Sequence, residues 1–584
     1  MAFRNSLAGS RRVHTLVAAL PSMERGLLAA SRRDDVRERS ACEIALGVGR
    51  RVAACVAAAG AIAGILLGGA ATVQARSHWD SSWPAYGGDA TGFVHKIQWS
   101  SSSPAPGVTL LSGVYSDPSL SPSWTVTIQA PVQSPFGGSL EDAEAGSAAW
   151  ARQTEAVLTS DGFDPSATVL AWPSYADDPR GVMGVRVRIG QFATQAEATT
   201  EATTLTADGF DPLVEWTGFD PQPGPDAELL HVAIVEPRRF AGQVIAYHGS
   251  AIASRETLPS ATSVLHSVAA TNGGFFTIDA PLAAVSGVNT GLSVYNGQIE
   301  SLANGDRAAL VLDGRGPAEI ENLTSLAVLR SDGSLIRILG INRLPGSAED
   351  CGLAGFTPTS QPRQNTLCTG PNDIVLFTPM FGAPLPPAPS SGPAVQAVLN
   401  PQGQVVSVGT PGGTLPGGDS AVQAIGTDAA WLSAHAQVGQ RLSVFEQLRT
   451  ESGAAFPLNP QMSIASAGPV LLRHGHTAID AVNEGVLDPR DLNDYTFSAY
   501  RHARTFVGVD GRGRLLLATA DGIPGVSAGL TLTEEAAVIR SLGAVDAMNL
   551  DGGGSTQFAS KGQLLNDASS SPLRPVGDTI QVVP

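Results

Sequence analysis

The run Asn549-Leu550-Asp551-Gly552-Gly553-Gly554-Ser555-Thr556 stands where an alternating strand pattern meets three glycines. Successive glycines let the backbone turn its N–H groups toward an anion, and the hydroxyls of Ser555 and Thr556 add donors. Asp551 stands at the mouth of this turn, where a carboxylate can carry a proton or bind a metal. Taken alone, the motif is more typical of a tight structural turn with a solvated Asp. The run therefore needs support from other parts of the chain.

A second Gly-rich cluster follows another strand-like segment. Asn272 offers an amide to sugar hydroxyls, and Gly273, Gly274 and Phe275 come directly after it. The phenyl ring either lines a sugar site or packs into the core, which is the commoner fate of Phe.

Charged residues flank two further strands. Arg504 and Thr505 open one strand, and the Arg504 guanidinium has the shape for bidentate phosphate binding. Asp521 follows the next strand and is a candidate acid or base. Arg574, in the run Arg574-Pro575-Val576, and Asn549 complete the candidate set. No third ligand stands near His474 and His476, which disfavours a metal site there. No cofactor is predicted, and the sequence leaves metal dependence open.

Short apolar runs recur between residues 228 and 584 and predict strands. One helix is expected at Thr533–Leu542, where Thr531 and Glu534 form a capping box. We predict one α+β domain with a mixed β-sheet system, whose strands are expected at 231–235, 244–247, 308–312, 373–377, 395–399, 505–509 and 515–518.

An internal repeat lies upstream of this domain: the segment Asp161-Gly-Phe-Asp-Pro165 recurs as Asp208-Gly-Phe-Asp-Pro212. A strand and a helix precede each copy, and Thr194 with Glu197 fits a capping box. The order strand, helix, strand, twice over, predicts a small ferredoxin-like α/β sandwich at 121–220.

The N-terminal region reads as a leader over residues 1–75. Arg50-Arg51 precede an apolar run from Val52 to Val73. Its ~20 residues are enough to cross a bilayer, so it is a signal peptide or a membrane anchor. Residues 76–120 are rich in Ser, Pro and Gly and are expected to form a linker. The protein is therefore expected outside the plasma membrane, either secreted or anchored there.

Composition excludes some functions. The formal net charge of −17 disfavours nucleic acid as a partner. Serine-hydrolase, zinc-protease and phosphate-loop motifs are absent from the sequence. Cys351 and Cys368 would pair in an oxidising compartment, with two free thiols as the alternative.

Together the Gly-rich clusters resemble the phosphodiester glycosidase family in their order along the chain: Asn272–Phe276, Gly468-Pro469, Arg504-Thr505, Asp521-Gly522, Asn549–Thr556 and Arg574–Val576. The resemblance implies hydrolysis of a sugar-1-phosphodiester, such as one carrying N-acetylglucosamine or a cell-wall sugar. It places Asn272, Arg504, Asp521, Asn549, Asp551, Ser555 and Thr556 in the site. Ile523 follows Asp521-Gly522 where many relatives have Arg, which puts one phosphate contact in doubt.

The region 121–220 resembles a SPOR domain, the sporulation-related repeat that binds peptidoglycan glycan strands. The similarity is carried by residues 185–197 and by Gly209-Phe210. It implies that the enzyme is held at the cell wall. A spacer of the same fold is the alternative for this region, and a non-catalytic protein that binds cell-wall glycan is the alternative for the whole chain.

Overall fold

The computed structural model describes residues 83, 85–86, 91–133, 140–278, 282–314, 316–351, 362–491 and 495–584. The expected leader and its apolar run lie outside these residues. Among the described helices, none is long and apolar enough to cross a membrane. The described residues are mostly strand with a few helices, which confirms the expected α+β class with mixed sheets.

A five-stranded sheet forms the N-terminal sandwich. Its four main strands follow the order strand, helix, strand, strand, helix, strand along the chain, and all neighbours among them are antiparallel. The arrangement is that of a ferredoxin-like fold. Thr194 caps the second helix, and its capping box with Glu197 is complete. In sheet order the strands are Ala85–Tyr86, Pro165–Ala171, Val182–Phe192, Trp124–Ile128 and Pro212–Trp216, with helices Ala148–Ser160 and Gln195–Ala207.

The stretch expected to be a linker instead contains a β-hairpin. Strands Gln98–Ala105 and Val108–Ser116 pair with each other, and the second pairs along its length with Ala227–Val235. The linker prediction for 76–120 is therefore wrong for these residues. Composition concealed the hairpin because Ser and Pro are poor strand formers, yet an edge strand tolerates both.

The hairpin is one edge of an eight-stranded sheet in the C-terminal region. This central sheet is antiparallel, and in spatial order its strands are Gln98–Ala105, Val108–Ser116, Ala227–Val235, Leu515–Ala520, Arg504–Asp510, Ala544–Asn549, Val470–Arg473 and His476–Thr477. A second sheet lies beside it, with strands Gln243–Tyr247, Thr579–Val583, Ala269–Asn272, Phe558–Ser560 and Gln563–Leu564.

Two further sheets form the middle of the chain. One contains Gln298–Ser301, Ser293–Tyr295, Ser463–Ser466, Ala308–Leu312, Glu319–Ser331, Ser443–Thr450 and Ala455–Phe456, with Ser334–Ile338 pairing to the side of Glu319–Ser331. The other contains Gly340–Ile341, Asp373–Phe377, Ser420–Ile425, Ala394–Leu399 and Val405–Gly409. Two-stranded pairs join Ala130–Gln133 to Leu140–Ala143 and Ser347–Glu349 to Leu367–Thr369.

Helices are few in the C-terminal region. The helix that the sequence predicted at Thr533–Leu542 spans Leu532–Ser541, and both halves of its Thr531–Glu534 capping box are present. The other described α-helices are Leu258–Leu265, Thr427–His435 and Thr496–Ala499, and short 3₁₀ turns occur at Thr91–Lys96, Thr217–Phe219, Ala283–Val285 and Gly553–Ser555.

One apolar core runs through the sandwich and the central sheet. Leu170, Tyr175 and Met183 of the sandwich belong to the same buried cluster as Phe506 and Leu516 of the central sheet. Consistent with this, the described residues from 83 onward form a single compact unit. A second core lies between the two middle sheets. Cys351 and Cys368 are joined by a disulfide, at a Cα–Cα distance of 5.7 Å.

Candidate active site

Asn272 ties the central sheet to the sheet beside it. It ends strand Ala269–Asn272 and is fully buried. Its Nδ2 donates to the Asp551 carbonyl oxygen at 2.6 Å, and its Oδ1 accepts from the Thr505 hydroxyl at 2.7 Å. The Oδ1 also accepts from the backbone N–H of Gln557 at 3.1 Å. The Asn272 amide, which was predicted to contact sugar hydroxyls, instead binds Asp551, Thr505 and Gln557. These bonds fix the position of the turn that contains Asp551.

The glycine run forms a 3₁₀ turn at Gly553–Ser555. Its backbone N–H groups are not all free for an anion, because Gly553 donates to the Ala503 carbonyl at 2.7 Å and Ser555 donates to Gly552 at 3.1 Å. The predicted nest of successive glycine N–H groups is therefore wrong at Gly553. The glycines serve close approach instead. A Cβ on Gly554 would lie 2.6 Å from Cζ of Arg574.

Asp551, Ser555 and Arg574 are linked through their side chains. The Asp551 carboxylate accepts a hydrogen bond from the Ser555 hydroxyl, and Arg574 Nη1 lies 3.4 Å from Ser555 Oγ. Burial raises the pKa of Asp551 to about 7, although Ser555 and the Arg574 charge oppose that rise. Both Asp551 and Arg574 keep some exposure, whereas Ser555 has none. The group therefore combines a carboxylate that titrates near neutral pH with an accessible cation.

A second carboxylate, Asp578, stands beside this turn. Its Oδ1 accepts the Gly274 N–H at 2.9 Å, and its Oδ2 accepts the Tyr295 hydroxyl at 3.0 Å. Burial raises the pKa of Asp578, while the N–H of Gly274 and the side chains of Asn289 and Tyr295 oppose the rise. Its charge also raises the pKa of Asp551.

Sequence reasoning missed this second group. Asp578 stands two residues beyond the Arg574–Val576 block, so its position offered a signal. Tyr295 and Asn289 lie in segments without a motif, and only the fold brings them to Asp578, where the Tyr295 hydroxyl is also 3.1 Å from Asn289 Oδ1.

Arg504 is not placed for the phosphate role that was expected of it. The side chain is fully buried and stacks on Phe497, 4.7 Å from the ring centre. Its Nε donates to the Leu530 carbonyl at 2.9 Å and lies 3.2 Å from a Glu535 oxygen, and its Nη2 binds the carbonyls of Phe497 and Tyr500. Only Nη1 lacks an acceptor. The guanidinium thus holds the loop before its own strand.

The Asp521 carboxylate likewise forms hydrogen bonds within the protein rather than facing an open site. Its Oδ1 accepts from Asn566 Nδ2 at 3.0 Å and its Oδ2 accepts the Asp567 N–H at 2.9 Å. Burial raises its pKa to about 7, as for Asp551, but only 1% of the side chain is exposed. Both oxygens are therefore engaged in fixing the loop that leads toward Arg574.

The remaining candidates are buried around the turn. Asn549 Nδ2 donates to the Gly468 carbonyl at 2.8 Å, while its Oδ1 and the Thr556 hydroxyl have no partner. Phe275 packs edge-on against Phe497 and under the Arg307 guanidinium, so its ring belongs to the core. No group of three metal-binding side chains occurs within the described residues.

The structure therefore brings Asn272, Gly273, Gly274, Asp551, Ser555 and Arg574 together and adds Asp578, Tyr295 and Asn289. Arg504 and Asp521 stand at the ends of adjacent strands in the central sheet, but their charged groups point into supporting contacts.

Residues 394–583 match the family model for phosphodiester glycosidase, and this part of the chain carries a domain of that family. Two curated relatives align with shorter segments. The mouse (Mus musculus) N-acetylglucosamine-1-phosphodiester alpha-N-acetylglucosaminidase is 36% identical over 111 residues, which is 18% of this chain and 21% of that protein. The prophage-derived protein YomE of Bacillus subtilis (strain 168) is 35% identical over 82 residues, which is 14% of this chain and 13% of its own length. The aligned parts thus span only about a fifth or less of these relatives.

A solved structure matches most of the fold. It is a protein of Burkholderia pseudomallei K96243 described as exported, with a TM-score of 0.73 and 29% identity. The match covers 84% of this chain and 96% of that one, so it extends well beyond the family domain at residues 394–583.

Proposed function

We propose that the chain hydrolyses the bond between C1 of a sugar and the oxygen of a phosphodiester. One observation carries the proposal. A carboxylate whose pKa is raised to about 7, Asp551, stands beside the accessible Arg574 guanidinium within a family domain of this activity. The phosphodiester is an anion and a good leaving group, so a cation is needed more than a strong acid.

In this proposal Arg574 holds the phosphate, and the Ser555 hydroxyl orients the Asp551 carboxylate through its hydrogen bond. Asp551 accepts a proton from the water that attacks C1, because a pKa near 7 suits a base working at neutral pH. Asp578 positions the Gly273–Gly274 backbone through its bond to the Gly274 N–H. Asn272 and Thr505 position Asp551 from behind.

The reaction consumes one water. The C1–O bond breaks with its electron pair going to the phosphate oxygen, and the water oxygen bonds to C1. Asp551 takes one proton from that water and returns it to the departing phosphomonoester or to solvent. The products are a free sugar and a phosphomonoester.

The experiment is turnover of N-acetylglucosamine-1-phosphodiester by the full chain and two matched variants. Asp551→Asn is expected to lose at least about 100-fold in kcat, as for removal of a general base. Asp521→Asn changes a more deeply buried Asp whose pKa is likewise raised to about 7, and it is expected to keep kcat per folded molecule. Loss of kcat in Asp521→Asn with full activity in Asp551→Asn would overturn the assignment.

We also propose that the protein is exported and associates with the cell wall. Export is supported by the apolar N-terminal run and by the description of the Burkholderia protein. The proposed association with the cell wall is supported by the ferredoxin-like topology of the sandwich, the fold expected from its resemblance to a SPOR domain. Its helix-free sheet face is covered, because Thr127 and Arg186 are buried there and Arg186 binds the Tyr500 hydroxyl of the C-terminal region. A glycan would therefore have to use the helical side.

Sedimentation with purified peptidoglycan tests this second proposal. Co-sedimentation that is lost when exposed positions on helices Ala148–Ser160 and Gln195–Ala207 are changed would support it. Absence of co-sedimentation would leave the sandwich as a spacer that braces the C-terminal region.

A further inference from the structure

One peptide group lies between Asp551 and Asp578. The carbonyl oxygen of Gly273 accepts the Asp551 N–H at 3.0 Å, and the N–H of Gly274, on the same peptide group, donates to Asp578 Oδ1 at 2.9 Å. The Gly273 N–H also donates to the Asp578 carbonyl oxygen at 3.0 Å. The Asp578 carboxylate is therefore connected to the backbone of Asp551 through two hydrogen bonds and one peptide group.

The two glycines leave no room for a side chain in this connection. A Cβ on Gly273 would lie 2.4 Å from Asp578 Oδ1, and a Cβ on Gly274 would lie 2.3 Å from the Ser466 carbonyl oxygen. Glycine is what allows the backbone to come this close to its neighbours. Hydrogen bonds in a chain polarise one another, so a carboxylate that binds one end of the peptide group strengthens the bond at the other end.

Two side chains orient the Asp578 carboxylate. The Tyr295 hydroxyl donates to its Oδ2 at 3.0 Å, and the Asn289 side chain also forms a hydrogen bond with it. Burial and the Asp578 charge both raise the pKa of Tyr295, so its hydroxyl stays protonated and can donate. Asn289 is fixed in turn, because its carbonyl oxygen accepts the Ser301 hydroxyl at 2.8 Å and its Oδ1 lies 3.1 Å from the Tyr295 hydroxyl.

The charge of Asp578 acts on Asp551 as well. It raises the pKa of Asp551, whereas the Ser555 hydroxyl and the Arg574 charge lower it. The position and the proton affinity of Asp551 therefore both depend on Asp578.

The titratable groups next to Tyr295 are His248 and Glu300. The His248 ring packs against the Tyr295 ring, with 4.5 Å between the ring centres, and burial lowers the pKa of His248, which favours the neutral ring at neutral pH. The charge of Glu300 adds to that of Asp578 in raising the pKa of Tyr295. Both neighbours thus favour a protonated Tyr295 hydroxyl or leave it unchanged.

We infer that Asn289, Tyr295 and Asp578 are positioning residues for Asp551, and that the Gly273–Gly274 peptide group transmits their effect. The inference rests on the proposed function, in which Asp551 is the base, and adds the residues that hold this base in place. Asn289 and Tyr295 lie outside the family-matched residues 394–583. A part of the chain separate from the family domain thus contributes to the working geometry of the base.

Steady-state kinetics of the full chain on N-acetylglucosamine-1-phosphodiester test the positioning role. Tyr295→Phe removes one hydroxyl, and Asp578→Ala removes the acceptor of the Gly274 N–H. We expect kcat per folded molecule to fall at least about threefold in the first and about tenfold in the second, with KM within about twofold, because Arg574 still holds the phosphate. Tyr247→Phe is the matched control, because the Tyr247 ring also packs against His248 but its hydroxyl does not bind Asp578.

Asp578→Asn separates the charge from the hydrogen bonds. The amide oxygen can still accept the Gly274 N–H, and the amide nitrogen can donate to the Tyr295 hydroxyl, so kcat at its pH plateau is expected to recover relative to Asp578→Ala. Loss of the charge should lower the pKa of Asp551 by at least about half a unit. Carbon-13 NMR of protein labelled at the aspartate carboxyl carbons measures this pKa, with Asp551→Asn assigning the signal. Asp521, whose pKa is also raised to about 7, is the internal control and should not shift.

The titration needs no substrate, so its outcome is independent of the reaction. With turnover by the wild type, unchanged kcat in Tyr295→Phe and Asp578→Ala, an equal loss in Tyr247→Phe, or an unshifted Asp551 titration in Asp578→Asn would overturn the inference while the proposed function stands. A rise in KM at constant kcat would also overturn it, because it would assign these residues to substrate binding. A shifted Asp551 titration without turnover by the wild type would remove the proposed function and leave the coupling of the two carboxyl groups.

Discussion

At the residue scale, the site depends on the pKa of Asp551, which burial raises and neighbouring groups lower. Burial alone would keep Asp551 protonated, and the Ser555 hydroxyl with the Arg574 charge limits that effect. The resulting pKa of about 7 leaves the carboxylate ready to exchange a proton at neutral pH.

The pH dependence of kcat/KM follows from that value. A base works only when deprotonated, so kcat/KM is expected to rise with pH and reach half its maximum near pH 7. Initial rates between pH 5 and 9 would measure it. Asp521→Asn is expected to keep the same rise although Asp521 has a similar pKa, and a flat profile in the wild type would contradict the role of Asp551.

Arg574 is expected to account for most phosphate affinity. Arg574→Ala should lower kcat/KM by at least about 100-fold, because one cation stabilising a phosphate anion contributes a few kcal/mol. Arg512→Ala, at an exposed turn, is the control and should leave steady-state kinetics unchanged. Unchanged kcat/KM in Arg574→Ala would remove this residue from the site.

The sequence predicted some of these residues and not others. Asn272, Asp551, Ser555 and Arg574 carry their signal in the residues beside them, and the structure brings them together. The role of Arg504 could not be predicted from the sequence, because residue type does not show in which direction a side chain points. Its guanidinium turns toward the carbonyls of a loop that only tertiary folding places there.

At the element scale, the glycine turn shows what a motif means physically. The motif predicted backbone N–H donors for an anion. Instead, the Gly553 N–H donates to the Ala503 carbonyl, and the Ser555 N–H donates to the Gly552 carbonyl within the turn. Its more specific property is the absence of side chains, which lets Arg574 lie directly on Gly554.

Gly554→Ala tests that property. A Cβ there would lie 2.6 Å from Arg574 Cζ and 2.6 Å from Nη2, so the guanidinium must move. We expect kcat/KM to fall at least about tenfold while the circular dichroism spectrum stays unchanged. Gly409→Ala is the matched control, since no atom lies within 4 Å of its added Cβ. Equal kinetics in both variants would contradict the packing role.

Strand and helix positions were largely predictable, because alternation and capping boxes are local signals. The strand expected at 308–312 forms as Ala308–Leu312, and both capping boxes form as expected. The hairpin Gln98–Ser116 was not predictable, because its stability comes from pairing with a strand more than a hundred residues later.

At the scale of the whole molecule, the sandwich and the C-terminal region are joined by polar contacts as well as by a shared core. Asp177 accepts the N–H groups of Val482 and Asn483 at 2.7 and 2.8 Å, and the Tyr175 hydroxyl donates to the Ser498 carbonyl. The last contact reaches the loop whose carbonyls hold Arg504. The two regions are therefore expected to unfold together.

Arg186→Met tests that coupling. Arg186 is 2% exposed and joins Asp220 to the Tyr500 hydroxyl across the junction. Its loss should destabilise the protein by about 3 kcal/mol, the usual cost of breaking a buried ion pair. Calorimetry should still show one transition, at lower temperature. Arg330→Met, on an exposed strand position, is the control. A separate low-temperature transition of the sandwich would contradict the shared core.

The central claim is that the C1–O bond breaks, rather than a P–O bond. Hydrolysis of a sugar-1-phosphodiester in water enriched in oxygen-18 measures this directly, with mass spectrometry of both products. The label is predicted in the released sugar and absent from the phosphomonoester. Label in the phosphomonoester would contradict a glycosidase and indicate attack at phosphorus.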